Sequence, residues 1–186
     1  MKKLLLILFL LACCSLITAQ SRFRTSTGEI RFNASTPLED IDAVNNKVNA
    51  IINAETGDFA VVLLVKDFRF RRKLMQEHFN ENFMESATYP KAYYRGKIIG
   101  FSAEALSAVP MKLNVAGELT IHGVSREVET KASLSKNGNA IRMTSEFIAK
   151  PEDYKVKVPR ILFNKIAEEV KVMVNLDLNS GNQAGG

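Results

Sequence analysis

The 186-residue chain reads as an all-β domain, an antiparallel sandwich or closed barrel of about eight strands with one short amphipathic helix. Three observations predict this. Period-two alternation recurs along most of the chain, turn-forming Gly, Asn and Asp separate the runs at short intervals, and one stretch alone, Leu74 to Met84, switches to the helical period. Regular antiparallel spacing of this kind favours sandwiches and barrels, and closure removes the exposed edges that invite aggregation. Composition agrees. With 46% hydrophobic and 24% charged residues, 10 Gly and 5 Pro, the chain is neither collagen-like, low-complexity nor disulfide-dense. Its length suits one domain.

The first residues read as an export address. Met1-Lys2-Lys3 is basic, Leu4 to Leu11 is an unbroken apolar run, and Ser15 to Ala19 grades into small residues before Gln20. This is the layout of a secretory signal peptide over 1–19, too short to span a bilayer as a stable helix. A periplasmic or secreted protein is expected. Cys13 and Cys14, the only cysteines, would leave with the leader, so no disulfide is expected. An alternative takes Leu10-Leu11-Ala12-Cys13 as a lipoprotein box, with Cys13 acylated as an anchor. Nothing after residue 20 is apolar for long enough to cross a membrane, so no transmembrane segment is expected.

The domain itself is expected over 20–178. Phe23–Thr25 and Glu29–Asn33 read as β runs flanking a Thr27-Gly28 turn. Thr36-Pro37-Leu38-Glu39 has capping-box spacing with proline at the first helical position, which predicts a short helix to about Val44. Lys47–Asn53 alternates with Val48, Ala50 and Ile52 on one side. Glu55–Asp58 turns it, and Phe59–Val65 returns with Phe59, Val61, Leu63 and Val65 on one face. Phe68 and Phe70 continue the period beyond a register break at Lys66-Asp67. In Leu74–Met84, Met75, Phe79 and Phe83 recur every four residues against Gln76, Glu77, Asn80 and Glu81, which predicts about three helical turns.

Alternation resumes at Lys91–Phe101 and is nearly strict from Met111 to Ile121. His122-Gly123 bends the chain, and Val124–Leu134 follows. Asn137-Gly138 is a strong hairpin signal that returns Ala140–Ala149. Pro151–Tyr154 reads as a loop, Ile161–Glu168 as a helical turn or two, and Val170–Leu178 as the last strand. The polar, Gly-rich stretch 179–186 reads as a disordered tail.

These residues carry few chemical signatures. The formal net charge is +5, with two of the lysines in the leader. The longest basic stretch is Arg69-Phe70-Arg71-Arg72-Lys73 and no recognition motif accompanies it, so no nucleic-acid partner is expected. That stretch reads as a solvated charged face; contact with a diphosphate or carboxylate is the alternative. His78 and His122 are the only histidines. A zinc site takes three or four protein ligands, and Glu77-His78 with Glu81 is not H-E-x-x-H spacing, so neither metal nor cofactor is expected. G-x-S-x-G is absent, and Ser86 or Ser125 near a histidine in sequence does not make a triad. The chain therefore reads as a non-enzyme, with a hydrolase using His78 or His122 as the weaker alternative. His122, at a bend before Gly123, reads as a ring that holds the turn through backbone hydrogen bonds.

Val115-Ala116-Gly117-Glu118-Leu119-Thr120-Ile121-His122-Gly123-Val124-Ser125-Arg126-Glu127-Val128 resembles the v-x-G-x-L-T-I-H-G-V-T/S-R/K-x-V signature of YceI-like lipid/polyisoprenoid-binding proteins. Leu74 to Ser86, followed by Tyr89-Pro90-Lys91-Ala92, is similar to that family's His-containing helix, with Phe83-Met84-Glu85 where F-F-D is usual. The resemblance spans about Phe23 to Leu178. It implies a lipocalin-like antiparallel barrel, exported to the periplasm, that binds a polyisoprenoid or other long-chain lipid in its interior. Eleven Phe and no Trp supply smooth apolar wall for such a site. A polyprenyl tail forms no hydrogen bonds, so affinity must come from area removed from water, at roughly 25 cal/mol per Å².

The candidate ligand-binding residues are Phe68, Phe70, Met75, His78, Phe79, Phe83, Tyr94 and His122. The Met75, Phe79, Phe83 stripe reads either as a helical lid over the barrel's open end or as core. Phe68, Phe70 and Tyr94 either face a ligand or fill the barrel. A filled barrel serving as an envelope structural or interaction protein stays open as an alternative, as does a homodimer.

Overall fold

The computed structural model describes residues 21–159 and 164–181. The expected leader, residues beyond 181, and Ile161-Leu162-Phe163 of the expected helical turn lie outside them. In chain order the elements are β1 (Arg22–Asn33), β2 (Asp42–Asn53), β3 (Asp58–Leu64), β4 (Arg69–Phe70), α1 (Lys73–His78) continued by a π-helical turn (Phe79–Phe83), β5 (Lys91–Ile98), β6 (Met111–Ile121), β7 (Val124–Asn137), β8 (Ala140–Ala149) and β9 (Val170–Gly181). Every long strand pairs antiparallel with its neighbour in sequence, β3 meeting β5 across the helical excursion. The last strand, β9, pairs back with β1. Eight strands thus close an up-and-down barrel, and the two-residue β4 hangs on β2 through Ala43 and Val44.

Three local expectations change in the folded chain. No turn interrupts β1 at Thr27-Gly28. The strand runs through with register shifts on either side of Gly28, a bulge that twists the strand. The glycine serves close packing there, since a Cβ would sit 2.4 Å from Leu176 Cδ2. The capping-box sequence opens no helix. Thr36 and Glu39 exchange backbone hydrogen bonds in a tight turn, and the Thr36 hydroxyl donates to the Asn164 carbonyl. β2 starts soon after, because Ala43 and Asn45 alternate inward with the rest of that strand and are buried. Strand periodicity outweighs the local helix signal. Finally, β9 continues three residues past Leu178, as Asn179, Ser180 and Gly181 pair with Arg24, Phe23 and Arg22.

The inward side chains divide the barrel into two ends. At one, Ile52, Ile98, Val115, Leu134, Ile141, Leu176 and Leu178 are each no more than 1% exposed. The 99–110 loop packs Phe101, Ala103 and Leu106 against this cluster. Lys136 holds the loop there, its amide donating to Ser107 O (2.7 Å) and its Nζ to Ala103 O (3.2 Å). The chain enters at this filled end, where the Ala54 amide donates to Ser21 O. At the other end the alternation continues through Ile30, Phe32, Leu63, Ala92, Leu119, Ile121, Phe147 and Val172, and these side chains surround a space.

Candidate functional site

The space is a cavity of about 550 Å³. Barrel strands form its wall, and the segment between β4 and β5 covers it. β3 ends in a 3-10 turn, Val65–Asp67, which redirects the chain so that Phe68 and Phe70 face inward beyond the strand. α1 and the π-helical turn then lay Met75, His78, Phe79 and Phe83 along the cavity. The Phe79 ring sits among three wall phenylalanines, its centroid 5.5 Å from Phe32, 5.7 Å from Phe68 and 5.0 Å from Phe70. Such stacked, tilted and edge-on aromatic pairs contribute beyond their buried area.

Charged groups at the cavity are confined to Glu39, Arg72, Lys150 and Lys165 among the described residues, with His78 and the Tyr154 phenol as further polar groups. Arg72 pairs with Glu39, and Lys150 Nζ lies 3.2 Å from Glu169 Oε1. The remaining basic residues of the 69–73 stretch turn to carboxylates outside the cavity: Arg69 to Asp67, Arg71 to Asp40 and Lys73 to Glu77. Burial pushes the Tyr154 phenol above its ordinary value.

Of the eight candidates, Phe68, Phe70, Met75, His78, Phe79 and Phe83 line the cavity, and Tyr94 and His122 do not. Tyr94 points inward but lies beneath, its ring against Phe59 (4.9 Å) and the cavity-lining Phe147 (6.5 Å). Its hydroxyl donates to Val128 O at 2.9 Å. The ring reaches from β5 across β6 to β7, a path left open by Gly117, which lies between Gly96 and Val128 in the sheet. His122 is buried behind the wall. Its Nδ1 lies 3.3 Å from Tyr154 O and its Nε2 2.8 Å from Glu85 Oε2. The expected backbone contact exists, but it joins a distant segment instead of the histidine's own turn.

The groups around His122 are already paired. Both nitrogens of His122 are engaged by Glu85 and Tyr154, and the Ser125 hydroxyl pairs with Thr120 Oγ1 at 2.8 Å. Among the described residues no three His, Cys, Asp or Glu side chains gather into a group that could hold a metal. None of their helices is long and apolar enough to cross a membrane. The wall residues that the sequence reading missed, such as Phe32, Leu119, Ile121 and Phe147, carry the same alternation as the filled core. Their only signal was nearness to the 36–39 turn, the 122–123 bend and the 151–154 turn, which mark the open end.

The barrel resembles solved structures. A polyisoprenoid binding domain from Saccharophagus degradans superposes with a TM-score of 0.76 at 17% identity, covering 87% of this chain and 99% of that one. BcnA of Burkholderia cenocepacia gives 0.68 at 19% identity, covering 81% and 95%. A YCEI protein of Campylobacter jejuni gives 0.61 at 14% identity, covering 75% and 85%. At such identities these likenesses establish the fold. Comparison with curated protein sequences yields no match. The sequence itself matches the YceI-like domain over residues 14–178, which takes in the cavity and all of the barrel but the end of β9, and the chain belongs to that family.

Proposed function

We propose that this protein is an exported carrier that takes one long apolar chain, a polyisoprenoid or a similar amphiphilic lipid, into the open half of its barrel. It does so without chemistry. The observation that carries the proposal is the 550 Å³ cavity with its almost wholly apolar wall. Ligand pockets commonly fall in the range of about 300–1,000 Å³ and are lined in this way. Water entering such a space meets hydrocarbon and few hydrogen-bond partners. An apolar occupant removes that penalty.

The polar groups are few, which suits a ligand with a long tail and one polar end. The Saccharophagus degradans domain, described as polyisoprenoid binding, supports the same ligand class. The basic and apolar residues of 1–19 support export.

The test begins with protein purified from its native envelope, denatured, and extracted into organic solvent for mass spectrometry. An apolar chain at half-molar ratio or above is expected. Repeated extraction of nothing, with no uptake of added isoprenoid alcohols by the emptied protein, would sink the proposal. Phe79→Asp places a charge among three aromatic rings and should reduce uptake at least about tenfold while the barrel still melts cooperatively. Unfolding with no separate loss of uptake would make Phe79 simple core.

A further inference from the structure

The segment that covers the cavity, residues 73–84, is less firmly built than the wall it closes. No residue of α1 or the π-helical turn is fully buried. The turn itself is of a kind found frequently at functional sites. Asn80 Oδ1 is buried there without a hydrogen-bond partner, a penalty that opening to water removes.

Immediately beyond this cover, three segments meet at His122. Nε2 faces the Glu85 carboxylate at 2.8 Å, Nδ1 faces the Tyr154 carbonyl at 3.3 Å, and the Tyr89 ring packs edge-on with centroids 4.3 Å apart. Among the described residues, three non-glycine positions have positive φ: Glu85 (43°), His122 (51°) and Lys155 (56°). One lies in each of the three converging segments. Left-handed backbone is costly outside glycine and gathers where function over-determines the conformation. Each segment also supplies cavity wall in the preceding residue, Met84 before Glu85, Ile121 before His122 and Tyr154 before Lys155.

We infer that residues 73–84 are a lid and that the Glu85–His122 contact is its latch, so that ligand exchange waits on the release of that pair. This rests on the ligand-binding reading above. The latch sets how often the lid opens, and the apolar wall sets how tightly a tail is held. Changing the latch therefore alters rates in both directions and leaves affinity nearly alone.

The experiment uses Glu85→Asn. Asparagine tolerates a left-handed backbone, and its side chain is neutral and one methylene shorter, so the contact is lost without new strain. Binding and release of cis-parinaric acid, a fluorescent long-chain polyene, are followed by stopped flow. Both rates should rise roughly tenfold, as befits loss of one charge-assisted hydrogen bond, with Kd within about threefold of wild type. His122→Asn should do the same, and the double variant no more than either. Amide hydrogen exchange over residues 73–90 should quicken in Glu85→Asn with the barrel strands unchanged. Unaltered rates, or faster release with proportionate loss of affinity, would overturn the latch. If wild-type protein takes up neither cis-parinaric acid nor isoprenoid alcohols and yields nothing on extraction, the carrier reading falls on its own. Amide exchange on the unliganded chain then decides the latch, and equal protection over 73–90 in the two proteins would overturn it.

Discussion

Tyr94 illustrates how much a single inward side chain can depend on the sheet around it. Burial, followed by the fields of Glu127, Tyr154 and Glu129, pushes its phenol up to about 12. A proton held more firmly in the folded chain stabilises it fully below the ordinary phenol value near 10. That contribution is lost as pH rises from about 10 through 12. Tyr94→Phe should cost about 1 kcal/mol at pH 7, where it leaves Val128 O without its partner. It should also flatten the alkaline fall in stability, which urea unfolding at pH 7 and pH 11 would reveal. The sequence placed Tyr94 on a strand beside the helix but not its partner. The bond spans two strands, so it needs the register of β5, β6 and β7 and the gap at Gly117. His122 has the same history. Its residue type and bend were readable, and its partners Glu85 and Tyr154 lie 37 and 32 positions away.

At the level of elements, alternation was a reliable guide wherever one face is buried. β6 and β8 begin and end where the period predicts, at Met111–Ile121 and Ala140–Ala149. The failures came from turn chemistry, as at Thr36–Glu39, where a four-residue signal competes with a twelve-residue strand that buries Ala43, Val48, Ala50 and Ile52. The β5–β6 pairing makes a sharper demand. Gly96 and Gly117 face each other across it, and a Cβ on Gly117 would stand 2.1 Å from Arg95 O and 2.6 Å from Gly96 Cα. Backbone on both sides cannot give way cheaply. Gly117→Ala should therefore destabilise the domain by about 3 kcal/mol or more, measured by chemical denaturation. A change under about 1 kcal/mol would show that the strands can part there.

For the whole molecule, the sequence suggested an open end under a helical lid but not which inward residues line it and which are core. Val115 and Leu119 share one strand and one face, yet the first is core and the second lines the cavity. The difference arises from what covers each end: the 99–110 loop sends Leu106 inward, and the 73–84 segment leaves a space below it. The two ends should consequently respond to mutation in opposite ways. Leu134→Ala, at the filled end, should cost about 2–5 kcal/mol and spare the uptake of added isoprenoid alcohols by the folded fraction. Ala149→Phe, in the cavity wall, should hold or raise Tm and abolish that uptake. Matched losses of stability and uptake in both variants would mean that the ends are not independent.

Ser21 and Gly181 both emerge beside the filled end, where Arg22 pairs with Gly181. A tag, a fused domain or a surface tether joined at either point therefore stands on the far side of the barrel from the cavity's entrance. An immobilised molecule would present that entrance outward, clear of its support.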